Sequence, residues 1–94
     1  MKIAYPVIIS KGEKSLIASV PDCNIDTQGK DLVDAIEMAR DAISIWCVSE
    51  QDAGRSLPVA SEMFGLKQDD GDIVTLVDVD IEAYRRRLEL QIAE

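Results

Sequence analysis

The chain has 94 residues with 18 acidic against 10 basic side chains, a net charge of −8 and no histidine. The missing histidine removes the commonest general base and metal ligand. The acidic balance argues against free nucleic acid as a ligand of this chain alone, since phosphate binding requires local positive charge. The length suits one domain. Charge is uneven along it, +1 over residues 1–30 and −9 over residues 31–94, a surface that serves solubility or the steering of a basic partner.

Cys23 and Cys47 form no Cys-x-x-Cys pair and have no histidine beside them, so buried free thiols are expected rather than a zinc site. The N-terminus shows no basic segment followed by an apolar one, and no apolar run approaches the length of a membrane span. A cytoplasmic chain is expected.

Residues 2–10 are rich in β-branched and aromatic side chains, residues 15–20 repeat the pattern, and Lys11-Gly12-Glu13-Lys14 between them predicts a hairpin. Pro6 lacks a ladder donor and suits an edge strand or a strand end better than a central strand. Pro21-Asp22 breaks the second strand, and residues 24–28 return as a third before Gly29, completing a three-stranded antiparallel meander. From Asp31 the apolar period changes from 2 to 3.6. Leu32, Ala35, Ile36, Ala39, Ile43, Trp46 and Cys47 fall on one face of a long helix and Asp34, Glu37, Asp41 and Ser44 elsewhere. Asp31 and Asp34 suit the positive end of the helix dipole, and residues 50–54 supply the exit.

Leu57-Pro58-Val59-Ala60-Ser61 reads as extended because Pro58 disfavours helix at Leu57, with Ser61 placed to cap a short turn ending at Gly65. The cluster Asp69-Asp70-Gly71-Asp72 lacks the alternating acids and downstream glutamate of a calcium loop and reads as a polar turn. Residues 73–79 form a strand whose near-continuous apolarity predicts burial on both faces, as in a central or helix-covered strand. Asp80 then suits an N-cap, and Ile81, Tyr84, Leu88 and Ile92 form a helical stripe. Residues 88–92 also alternate with period 2, which leaves open a helical turn through Arg87 followed by a strand. Arg85-Arg86-Arg87 reads as a solvated collar. The fold class expected is α+β: the meander, one long helix, a further strand and a C-terminal helix.

Candidate chemistry is sparse. Asp22, Asp26 and Asp78 or Asp80 near strand ends would be the carboxylates of a two-magnesium nuclease if the fold gathered them, although no motif marks them. Neither cysteine has a neighbouring base to activate it, and no glycine-rich phosphate loop occurs. No cofactor is expected.

Five pieces in order, Tyr5-Pro6-Val7-Ile8, Val20-Pro21-Asp22-Cys23, Gln28-Gly29-Lys30-Asp31-Leu32, Asp34-Ala35 through Ala39-Arg40-Asp41-Ala42, and Leu57-Pro58-Val59-Ala60-Ser61, resemble the N-terminal domain of HicB-type antitoxins. The resemblance implies a degenerate, partial RNase H-like fold that has lost nuclease chemistry and that binds and blocks HicA, a small basic mRNA-cleaving ribonuclease toxin. Residues 1–87 would form the toxin-neutralising domain and residues 88–94 a tail. The family often has Pro-Asp-Leu-Pro-Gly-Cys where this chain has Pro21-Asp22-Cys23. Many relatives continue into a DNA-binding module past the Tyr-Arg-Arg segment, whereas this chain stops at Glu94, so DNA binding is expected only through a module these residues do not include.

The expected role is an antitoxin without catalysis of its own. The alternatives are a homo-oligomeric module, favoured if Tyr84, Leu88 and Ile92 are exposed, and a metal-dependent nuclease remnant. Asp22, Asp26, Trp46 and Tyr84, with the acids of the main helix, are the candidate partner contacts.

Overall fold

The computed structural model describes residues 2–61 and 71–92. Strands β1 (Lys2–Lys11), β2 (Leu16–Val20) and β3 (Ile25–Gly29) form the meander, and helix α1 (Leu32–Asp52) follows it. Strand β4 (Ile73–Asp80) and helix α2 (Ile81–Ile92) complete the described elements. All pairings are antiparallel in the order β3-β2-β1-β4. Period 2 sends Tyr5, Val7 and Ile9 of β1, Ala18 and Val20 of β2, and Val77 and Val79 of β4 to one sheet face. There they meet Ala35, Ala39, Ile43 and Cys47 of α1 in a single core.

Both ends of α1 are closed by local chemistry. Asp31 caps it, its Oδ1 accepting from the Asp34 N–H at 2.8 Å, while Asp34 Oδ2 reaches back to accept from the Lys30 N–H at 2.9 Å. At the far end Gly54, at φ +78°, lets Arg55 N–H bond to Glu50 O at 2.9 Å and Gly54 N–H to Gln51 O at 3.0 Å, the two bonds of a Schellman turn. The tail is helical through Ile92 rather than turning into a strand. Asp80 Oδ1 accepts from Ala83 N–H at 3.0 Å and so caps α2.

Three sequence expectations need correction. Strand β4 is neither central nor covered on both faces. Among the described residues it pairs only with β1, and Ile73 and Leu76 are exposed. Strand β1 is central, yet β2 pairs with it only from Ile8 to Lys11, so Pro6 sits where β4 is its one partner and a missing donor is tolerated. Ser44 is buried rather than on the polar side, because its Oγ donates to Arg40 O at 2.7 Å and needs no water. The short turn ending at Gly65 and residues 69 and 70 of the acidic cluster lie outside the described residues, and Gly71, at φ +88°, turns into β4.

Candidate functional site

Burial and hydrogen bonding place the four candidate contacts in four different settings. Asp22 lies in the 3₁₀ turn Pro21–Cys23, and its carboxylate accepts from both the backbone N–H and the hydroxyl of Ser61. With the Tyr5 hydroxyl, which donates to Pro58 O at 2.8 Å, it ties the segment after α1 to the sheet. Asp26 is exposed on the outer strand β3, on the sheet face away from the helices. Trp46 is half-buried against the core, about 200° around α1 from Ser44 and Val48. Tyr84 is 9% exposed, in a groove between α1, the end of β4 and α2. Of the stripe whose exposure would favour self-association, Tyr84 is turned inward and Leu88 is half-buried.

That groove has a volume of about 410 Å³ and is bordered on the α1 side by Glu37, Met38 and Asp41 and on the α2 side by Tyr84 and Arg87. Burial raises the pKa of the Tyr84 phenol, and the Asp41 carboxylate beside its hydroxyl adds to the rise while Arg87 opposes it. The Arg87 guanidinium stands 5.8 Å from the Tyr84 ring centre. Arg40 lies next to the groove but is engaged internally, with Nε donating to Asp78 O at 3.0 Å and the guanidinium paired with Glu37 and Asp78. The acids of the main helix singled out in the sequence therefore include Asp41 and Glu37 at this groove. Met38 and Ile45, exposed on the same helix, went unnoticed because lone apolar residues at polar positions carry little signal.

Both thiols are free and buried. Burial pushes Cys23 up to about 12, with Cys47 and Asp22 adding to it, and burial likewise raises Cys47, which leaves both protonated and unreactive near neutrality. The carboxylates of the nuclease alternative are not gathered. Asp26 lies on β3 while Asp78 and Asp80 lie on β4 at the opposite sheet edge. Three strand spacings, about 14 Å, separate the two strands, far beyond the span of a two-metal site. Among the described residues no group of three or more His, Cys, Asp or Glu side chains is placed to hold a metal ion, and no described helix is long and apolar enough to cross a membrane.

A family description, HicB_like antitoxin of bacterial toxin-antitoxin system, matches residues 5–92. Among solved structures, a chain of "Toxin-Antitoxin complex from Streptococcus pneumoniae" superimposes with a TM-score of 0.79 at 20% identity, over 89% of this chain and 73% of that one. A chain of "HicA3 and HicB3 toxin-antitoxin complex" superimposes with a TM-score of 0.65 at 22% identity, over 83% of this chain and 99% of that one. At these identities the likeness speaks for the fold. No curated protein matches the sequence.

Proposed function

The chain belongs to the HicB-like antitoxin family of bacterial toxin-antitoxin systems, and from that premise we propose that it binds and neutralises a HicA-type mRNA-cleaving ribonuclease toxin in the cytoplasm, with no catalysis of its own. The observation that carries this reading is the family match over residues 5–92. It is supported by two fold neighbours that come from toxin-antitoxin complexes, and by the −8 charge, which suits a basic partner. Neutralisation belongs to residues 1–87, and residues 88–94 act as a tail. The candidate contacts divide by setting. Tyr84 serves through the groove and Asp26 as an exposed rim charge, whereas Asp22 and Trp46 act by holding the fold that presents them.

The test is co-expression with the small basic protein encoded beside it, co-purification, and an RNA-cleavage assay at two salt concentrations. A stable complex silent in cleavage is expected, and failure to bind a folded, active neighbour overturns the reading. Self-association keeps one specific support. On the outer strand β4, Ile73 and Leu76 remain 46% and 55% exposed, an apolar edge of the kind that pairs with a second copy. Sedimentation velocity on the free chain decides between monomer and oligomer.

A further inference from the structure

One side of α1 carries a stripe that the other described residues leave largely uncovered. Asp34, Met38, Asp41 and Ile45 follow at i, i+4, i+7 and i+11, so they stand in a line about 16 Å long on the side away from Ala39, Ile43 and Cys47. Met38 is 43% exposed and Ile45 53%. The helix's other carboxylates are matched within the chain: Glu37 with Arg40, Glu50 with Arg55 and Asp52 with Arg85. Asp34 accepts only from a backbone N–H and Asp41 faces a phenol, and neither pairs with a described cation. Apolar and anionic positions therefore alternate along one exposed helix face, and Met38 and Asp41 continue it into the groove beside Tyr84.

We propose that this stripe is the surface through which the chain holds its toxin, with Met38 and Ile45 as apolar anchors and Asp34 and Asp41 meeting lysines or arginines of the partner. The proposal rests on the antitoxin reading above and adds the face and its chemistry. Charge selects the occupant. In a two-fold contact with a second copy the same patch faces itself, which brings four carboxylates together without a cation, and such like-charge juxtaposition opposes association. A cationic protein surface with shallow apolar depressions satisfies both kinds of position at once.

The test measures affinity and association rate between the toxin encoded beside this chain and four forms of it at two salt concentrations, with circular dichroism confirming the fold of each. The forms are the wild type, Met38→Ser/Ile45→Ser, Asp34→Asn/Asp41→Asn and Glu89→Gln. Asn at position 34 keeps an acceptor for the Lys30 N–H. Loss of the two anchors is expected to raise Kd at least about tenfold, mainly through faster dissociation. Loss of the two charges is expected to slow association several-fold and flatten its salt dependence, while Glu89→Gln, exposed on the tail helix, leaves both unchanged. Tight wild-type binding that all three variants retain overturns the stripe and leaves the antitoxin reading standing, whereas a wild type that does not bind overturns that reading itself. A Met38→Ser/Ile45→Ser variant that changes the sedimenting mass of the free chain with Kd unmoved assigns the face to self-association and also overturns the proposal.

Discussion

A methyl group on Gly29 would stand 2.3 Å from the backbone nitrogen of Ala35 and 2.6 Å from its Cα. The obstacle is the backbone of α1, so no side-chain rotation relieves it and the helix must move off the sheet. Gly29→Ala is expected to cost about 1–3 kcal/mol in chemical denaturation, and wild-type stability in that variant would mean that α1 lies further from β3 than described. Asp80 acts at the same scale. Its carboxylate accepts from the Ala83 N–H, which lowers its pKa below the usual 3.8, with Lys2 and Arg86 helping and burial opposing. A lowered folded pKa gives a contribution present above about pH 4 and lost as pH falls through the folded value. Asp80→Ala should therefore lower the thermal midpoint at pH 7 by more than Asp80→Asn, which keeps an acceptor, and its deficit against the wild type should shrink on acidification. A deficit constant down to pH 2 would separate the cap from the charge.

Among the elements, β4 carries the conflict between local pattern and topology. Its apolar residues fall on both faces, which in sequence resembles a central strand, but the core covers only the face and the end that carry Val77 and Val79, so Leu76 on the opposite face and Ile73 at the start of the strand stay exposed. Arg40 reaches from α1 to the carbonyl of Asp78 on this outer strand and covers part of its edge. Arg40→Ala removes exposed ion pairs worth under about 1 kcal/mol, so stability should change little. Concentration-dependent self-association in sedimentation velocity should rise, because an uncovered edge invites strand pairing. A variant as monodisperse as the wild type would remove that role from Arg40. The other elements were more legible. Helix α1 was readable because Ala35, Ala39, Ile43 and Cys47 repeat at the helical period between an aspartate cap and a glycine exit. Ser44 broke the pattern because its hydroxyl finds a carbonyl one turn back. The acids of α1 were visible as partner candidates, but the stripe was not, since Met38 and Ile45 acquire meaning only once their helix face is seen to be uncovered. Asp22 was likewise visible as a charge, while its bond to Ser61 spans 39 positions that no local pattern connects.

For the whole molecule, the core is unusual in holding three groups that ionise at alkaline pH. Tyr5, Cys23 and Cys47 are buried together with the aliphatic residues. Burial raises all three, Cys23 to about 12 from 9.0, Cys47 from 9.0, and Tyr5 upward from 10.0, where Cys47, Cys23 and Asp22 add to the rise. The folded chain thus keeps protons that the unfolded chain releases, so this contribution is complete below about pH 9 and is lost as pH rises toward the folded values. Each group ionised only in the unfolded chain lowers stability by about 1.4 kcal/mol per pH unit. Denaturant midpoints should be flat from pH 7 to about 8.5, fall as the cysteines begin to ionise in the unfolded chain, and steepen above about pH 10 when Tyr5 joins them. Tyr5→Phe isolates the last component. It gives up the hydrogen bond to Pro58 O, about 1 kcal/mol at pH 7, yet has no phenol to ionise, so its alkaline slope above pH 10 should be shallower than that of the wild type and the two curves should converge. Parallel curves through pH 11 would mean that the Tyr5 hydroxyl reaches water in the folded chain, and that the tie between β1 and the segment after α1 is open in solution.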